Sequence, residues 1–371
     1  MNIDALARPA IRALTPYQPG KPVSELARER GLPDIIKLAS NENPLGPGPQ
    51  ALAAARAALS DSHFYPDGSG FELKAALARH LAVTPAQITL GNGSNDVLEL
   101  IARVFLEPGV EAVFSEHAFA VYPLATQAAG ATARVASAHA GQHGPRYGHD
   151  LTALREQVTP LTRVVFIANP NNPTGTTLPA AGLRSFLASL PDTTVVVIDE
   201  AYFEYVEASD YPNTVQWLAD FPRLIVTRTF SKAYGLAGLR IGYAVSSAEM
   251  ADWLNRVRLP FNVSMAAMAA AQAALDDTDY LRRSVALNRE GLAYLTQGFG
   301  ARGLDYIPSM GNFVAVDVGR LAAPVYTALL QEGVIVRPVA NYGLPRHLRV
   351  TVGLPEQNRL FLEALDRVLA A

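Results

Sequence analysis

Leu224-Ile225-Val226-Thr227-Arg228-Thr229-Phe230-Ser231-Lys232-Ala233-Tyr234-Gly235-Leu236-Ala237-Gly238-Leu239-Arg240-Ile241-Gly242-Tyr243-Ala244-Val245 sets two apolar runs on either side of a single lysine in a small-residue setting. Runs of this kind, short, continuous and without alternation, are expected of strands buried on both faces of a mostly parallel sheet. The same texture recurs upstream at Ile88–Leu90, Ala112–Phe114, Val164–Ile167 and Thr194–Ile198, with helical patterns at Leu73–Leu81 and Asp96–Phe105. The fold class is therefore α/β.

The 371 residues are 49% hydrophobic, enough for a large core and a second, smaller lobe. After Arg258-Leu259-Pro260 a long Ala- and Met-rich helical stretch leads to apolar strands at Phe313–Val318, Val334–Val336 and Leu348–Val352, which read as an α+β unit. The expected division is an N-terminal arm with part of the small domain over 1–45, a large cofactor-binding α/β domain over 46–260 and a C-terminal small α+β domain over 261–371. A net charge of −3 with 18% charged residues gives no electrostatic footprint for nucleic acid or an anionic membrane, so a small-molecule partner is expected. The absence of cysteine excludes disulfides, thiolate zinc sites and thiol catalysis. Asp4, Arg8, Arg12 and the prolines and glycine of Met1–Gly20 leave no signal-peptide core, and the chain reads as cytoplasmic.

Ligands in open α/β sheets gather beyond the carboxyl ends of the strands, and four such loops stand out. Gly91-Asn92-Gly93-Ser94-Asn95-Asp96 offers backbone N–H groups at a helix start, either for a phosphate or as a tight turn with Asp96 as cap. It lacks the third glycine of a dinucleotide fingerprint, and no P-loop occurs elsewhere. Asn169-Pro170-Asn171-Asn172-Pro173-Thr174-Gly175 is over-specified for a plain turn. Asp199 ends a strand among apolar residues and needs a cationic partner, whereas Glu200 reads as a helix cap. Lys232 is either a solvated amine or a desolvated one that condenses with an aldehyde. Arg240 and Ser231 could hold a phosphate. His139, His143 and His149 read as solvated loop residues with no metal-binding spacing, and no Gly-x-Ser-x-Gly elbow is present. A phosphate cradle, a carboxylate for a pyridine nitrogen, donors for a ring oxygen and an amine for an aldehyde together describe pyridoxal 5'-phosphate.

On Asn171-Asn172-Pro173-Thr174-Gly175, Asp199-Glu200-Ala201-Tyr202 and Ser231-Lys232 with Arg240, the chain resembles the fold-type I, class II pyridoxal-phosphate-dependent aminotransferases. Thr15-Pro16-Tyr17, Asn41-Glu42-Asn43-Pro44, Tyr65-Pro66-Asp67, Gly91–Asp96 and Leu348-Arg349-Val350-Thr351-Val352-Gly353 look like the histidinol-phosphate branch of that family. The resemblance implies a ping-pong transfer between L-histidinol phosphate and 2-oxoglutarate, with the cofactor alternating between pyridoxal and pyridoxamine forms. It gives Lys232 the cofactor and the proton transfer, Asp199 the pyridine nitrogen, and Tyr202 and Asn172 the ring oxygen. Ser94, Asn95, Thr229, Ser231 and Arg240 would hold the phosphate, joined by Tyr65 from a neighbouring subunit, which makes a homodimer. Phe119 stands where the family often has a ring-stacking tyrosine, and keeps the stacking without the hydroxyl. Arg349, with Arg337 and Tyr17, would bind the substrate phosphate and, in the other half reaction, a carboxylate. An aromatic amino acid aminotransferase shares every cofactor motif and stays open as an alternative, as does a non-catalytic pyridoxal-phosphate-binding regulator, though no DNA-binding extension accompanies it.

Overall fold

Residues 6–30 and 34–370 are described by a computed structural model; parts of the expected arm at 1–5 (with Asp4) and 31–33, and Ala371, lie outside the described residues. Strand β1 (Ile36–Lys37) lies apart from the main sheet. That sheet comprises β2 (Ile88–Gly91), β3 (Glu111–Ser115), β4 (Thr132–Ala136), β5 (Thr162–Ala168), β6 (Val195–Asp199), β7 (Leu224–Thr229) and β8 (Gly242–Val245), in the order β2-β8-β7-β6-β5-β3-β4. Pairs β3–β4, β3–β5, β5–β6 and β6–β7 are parallel, and β8 alone runs antiparallel to its neighbours β7 and β2. The mostly parallel α/β sheet expected from the apolar runs is the one found. All of β6 and β7 is buried, and their apolar side chains alternate between two large cores, one on each face of the sheet. The sequence reading passes over β4, whose Thr132-Ala133-Arg134-Val135-Ala136 forms an edge strand with only Ala136 buried. An edge strand half in solvent carries no continuous apolar run.

From β3 the chain winds outward to β4, then returns across the sheet to β5, so the direction of winding reverses between β3 and β5. A crevice opens beyond the strand ends at such a switch point. The small lobe covers it with an antiparallel sheet in which β9 (Tyr306–Ile307), β10 (Phe313–Asp317), β12 (Arg337–Val339) and β13 (Leu344–Thr351) lie in the order β12-β13-β10-β9. β11 (Val334–Ile335) pairs in parallel with β1, which ties the N-terminal segment to this lobe.

Helix Met265–Asp276 buries five alanines and Leu275 in the core of the large sheet and packs on helix Pro49–Ala58. Small side chains on that face allow the close approach. The Asp277 carboxylate then accepts from the Tyr280 amide at 3.1 Å and starts the long helix Thr278–Ala301 that leads to the small lobe. This helix, beyond residue 260, therefore shares the core of the large sheet. No helix among the described residues is long and apolar enough to cross a membrane.

Candidate active site

A cavity of about 370 Å³ lies beyond the carboxyl ends of β2, β5, β6 and β7, closed by β12 and β13 and by the arm residue Tyr17. Ser94, Asn95, Phe119, Asn172, Asp199, Tyr202, Thr229, Ser231, Lys232, Arg240, Arg337 and Arg349 line it together with Tyr17. Tyr65 does not line it. It is 81% exposed and stacks on Phe261 with ring centroids 4.8 Å apart.

One end of the cavity is built for an anion. Helix Ser94–Phe105 starts at Ser94, two residues before the expected Asp96, so the Ser94 and Asn95 amides fall in its first turn with no acceptor inside the helix. The cap position is Gly93, and Asp96 instead accepts from the Asn92 amide at 2.8 Å. Gly93 adopts φ 80°, and a Cβ there would lie 2.4 Å from Arg240 Nη2. A Cβ on Gly242 would lie 2.5 Å from the Ser94 amide nitrogen. Both glycines thus keep a guanidinium and helix-end amides clear of intervening atoms. The pleat turns Thr227 and Thr229 to this side of β7 and Arg228 away. Thr229 Oγ1 donates to Ser231 Oγ at 3.0 Å and accepts from the Ser231 amide at 3.1 Å, which fixes both hydroxyls beside the helix end.

In the middle, the Asp199 carboxylate is buried at the end of β6. Tyr122 Oη donates to its Oδ2 at 2.9 Å and Thr227 Oγ1 to its Oδ1 at 3.0 Å. Burial raises its pKa, and the two donors pull it back. It forms no ion pair among the described residues, so a cationic ring nitrogen would complete it. The half-buried Lys232 Nζ donates to the Ser40 carbonyl at 3.4 Å. Burial first, then the Arg349 guanidinium, lower its pKa from 10.5 to about 8. The neutral amine is therefore far more abundant at neutrality than in a solvated lysine. Burial pushes the Tyr202 hydroxyl up to about 12, so it stays protonated.

The other end carries two arginines. Arg337 and Arg349 are direct register partners across the antiparallel pair β12–β13, which puts them side by side on one face, with a register shift at Pro338/Val339 just beyond. Arg349 is buried; its Nη1 donates to Asn172 Oδ1 at 2.6 Å and its Nη2 to the Ala39 carbonyl at 2.7 Å, while Nε is buried without a partner among the described residues. Arg337 Nη2 donates to the Gln18 carbonyl at 2.7 Å, and its guanidinium stands 5.6 Å from the Tyr17 ring centroid. Among the described residues neither forms an ion pair with a carboxylate. Like charges placed directly opposite destabilise a sheet, and an anion between them removes that cost.

Two sequence expectations are corrected. Glu200 is not a helix cap: it is fully buried, its Oε2 lies 2.7 Å from Arg228 Nη2, and Thr214 Oγ1 donates to its Oε1 at 2.6 Å. The strand pleat sends neighbouring Asp199 and Glu200 to opposite faces, so each needs its own partner. His149 is not solvated: it is buried, its Nε2 donates to the Ala168 carbonyl at 2.9 Å, and burial lowers its pKa to about 4. No cluster of three or more possible metal ligands occurs among the described residues. Three further residues at the site carry no motif signal of their own. Tyr122 and Thr227 hold Asp199, and Asn41 Nδ2 donates to Tyr202 Oη at 2.8 Å. Asn41 was readable only as part of an Asn-Glu-Asn-Pro loop.

The chain matches the family Aminotransferase class I and II over residues 33–365. It is 63% identical to histidinol-phosphate aminotransferase 2 of Methylococcus capsulatus over 369 residues, covering 100% of both chains. It is 60% identical to histidinol-phosphate aminotransferase 2 of Pseudomonas aeruginosa, covering 99% of this chain and 98% of that one. The crystal structure of histidinol-phosphate aminotransferase from Sinorhizobium meliloti in complex with pyridoxal-5'-phosphate superposes with a TM-score of 0.89 at 33% identity, over 98% of this chain and 97% of that one.

Proposed function

The chain belongs to the class I and II aminotransferase family, and from that premise we propose that it transfers the amino group of L-histidinol phosphate to 2-oxoglutarate. The products are imidazole acetol phosphate and L-glutamate, in a step of histidine biosynthesis. The observation that carries the choice of substrate is the register pair Arg337–Arg349, two cations on one sheet face with no carboxylate partner among the described residues. A phosphate dianion matches two adjacent guanidinium groups, and a single carboxylate matches them in the second half reaction.

Pyridoxal 5'-phosphate, when bound, supplies an electron sink conjugated to the reacting amine. The residues present fit it: helix-end amides and Arg240 at one end, a buried carboxylate with no ion pair among the described residues, and a depressed-pKa amine in the same cavity. Lys232 Nζ anchors the group and later carries the proton that leaves the substrate α-carbon. Asp199, held by Tyr122 and Thr227, would keep a proton on the ring nitrogen. Tyr202 and Asn172 would donate to the ring oxygen, and Phe119 would stack on the ring. Asn172 is free to do so through Nδ2, because its Oδ1 is taken by Arg349. Ser94, Asn95, Thr229, Ser231 and Arg240 hold the cofactor phosphate; Arg349, Arg337 and Tyr17 hold the substrate anion.

Exposed Phe64, Tyr65, Phe71, Leu259 and Phe261 give the large lobe an apolar surface. Surfaces of this kind mark association sites. In our reading two copies of the chain meet there in the cytoplasm, and Tyr65 reaches the partner's phosphate site.

A single-turnover panel tests the substrate. With L-histidinol phosphate, L-glutamate and L-phenylalanine offered separately, the first two should convert the bound cofactor and L-phenylalanine should lag far behind. L-Phenylalanine outrunning L-histidinol phosphate would overturn this assignment in favour of an aromatic amino donor.

A further inference from the structure

Tyr202 can serve a ring oxygen only if its hydroxyl proton points into the cavity, and a neighbouring residue decides that. Asn41 sits fully inside the protein with φ 54°, a left-handed conformation that asparagine tolerates better than most side chains. Hydrogen bonds from its backbone and side chain pin it. Its amide N–H donates to Thr351 Oγ1 at 2.9 Å, its carbonyl accepts from Asn312 Nδ2 at 3.0 Å, and its side-chain Nδ2 donates to Tyr202 Oη at 2.8 Å.

Thr351 fixes which way round the Asn41 amide lies. Thr351 Oγ1 already accepts from the Asn41 backbone, and its own proton goes to Asn41 Oδ1 at 3.2 Å. Turning the amide over would leave that buried hydroxyl proton facing an NH₂ group. It would also put Oδ1 against Tyr202, where it would take the tyrosine proton. With the amide as found, Asn41 donates and Tyr202 accepts, so the Tyr202 proton is left to point elsewhere. Thr351 lies two residues beyond Arg349 on β13, and its amide donates to the Leu38 carbonyl at 2.9 Å. The strand that carries the substrate arginine is thereby joined to the group that orients the tyrosine.

We propose that Asn41 and Thr351 are positioning residues that direct the Tyr202 hydroxyl proton to the cofactor ring, through a relay that runs from the substrate-binding strand β13. The inference rests on the cofactor reading above, and only on the part that puts Tyr202 at the ring oxygen. Asn41→Asp is close to isosteric but accepts from both Thr351 and Tyr202, which turns the tyrosine proton away from the cavity. Thr351→Val removes the proton that sets the amide, and Thr351→Ser keeps it.

The test is a pH titration of the bound cofactor's visible absorbance, with circular dichroism to confirm that each variant is folded. A hydrogen bond to a charged form favours that form, so losing the donor to the ionised ring oxygen should raise the titration midpoint by about one pH unit. Tyr202→Phe sets the scale. Asn41→Asp and Thr351→Val should approach its shift, and Thr351→Ser should return to the unsubstituted midpoint. Asn41→Asp added to Tyr202→Phe should move the midpoint no further. An equal further shift in that background would mean the new charge acts directly on the ring, and would overturn the relay. An unmoved midpoint in Asn41→Asp would do the same, and that variant carries the test even if Thr351→Val fails to fold. Failure of the unsubstituted protein to develop a cofactor band would instead sink the cofactor reading itself.

Discussion

Gly93→Ala should separate backbone strain from loss of the phosphate site. At φ 80° and ψ 164° Gly93 occupies a region open essentially to glycine alone, so a methyl group costs about 1–3 kcal/mol in the folded apoprotein. The same Cβ would lie 2.4 Å from Arg240 Nη2 and 3.1 Å from its Cζ. Arg240 is a long, exposed side chain and swings aside more readily than the helix end moves. A hydrogen bond to a charged group contributes about 1.5–3 kcal/mol, so its loss from the cofactor phosphate should weaken binding about ten- to a hundredfold. Pyridoxal phosphate affinity for the apoprotein, measured for Gly93→Ala, Arg240→Ala and the double variant, checks this, with urea melts to read the strain. Each single variant should bind weakly and the double variant scarcely more so, since both remove the same guanidinium contact. Two losses that multiply in full would refute the reasoning, because Gly93 would then act without Arg240.

Burial and Arg349 hold the Lys232 pKa at about 8 rather than 10.5, so between those values the folded apoprotein has shed a proton that the unfolded chain keeps. Apoprotein stability should therefore rise with pH across that window, and Lys232→Met should flatten the rise in a pH series of urea melts. Arg228→Met leaves the buried Glu200 carboxylate without its cation and should cost about 3–5 kcal/mol of unfolding free energy. A loss below about 1 kcal/mol would show that Thr214 alone satisfies Glu200. Mixing inactive Tyr65→Ala with inactive Lys232→Ala protomers should restore activity in heterodimers, which carry one intact site. Verified heterodimers without activity would count against a shared site.

The fold was legible where burial is complete. β5, β6 and β7 are almost wholly inside, so their apolar runs stand out, whereas β4 lies at an edge with polar residues facing water. The candidate site was legible where a backbone constraint or a charge announces itself: Gly91 and Gly93, the prolines of Asn169–Gly175, the lysine after β7. What stayed hidden depends on direction and register. Asp199 and Glu200 are neighbours in sequence, yet the pleat gives one to the cavity and the other to Arg228. His149 looks like any loop histidine until the chain folds it beneath Ala168. Tyr122 lies three residues past the ring-stacking position Phe119, yet nothing in that stretch points it at Asp199, and only the folded backbone brings the two together.

The pairing of Arg337 with Arg349 belongs to the backbone as much as to the side chains. It exists because β12 and β13 meet in one register, with the irregularity at Pro338/Val339 and the turn Ala340–Tyr342 taking up the remaining length. One residue inserted between the two arginines could leave both letters in an alignment while moving one of them to the opposite face of its strand. If the pair holds the substrate anion as proposed, the spacing between the two positions matters as much as the arginines themselves, and a one-residue insertion there should lower turnover of the phosphate-bearing amino donor.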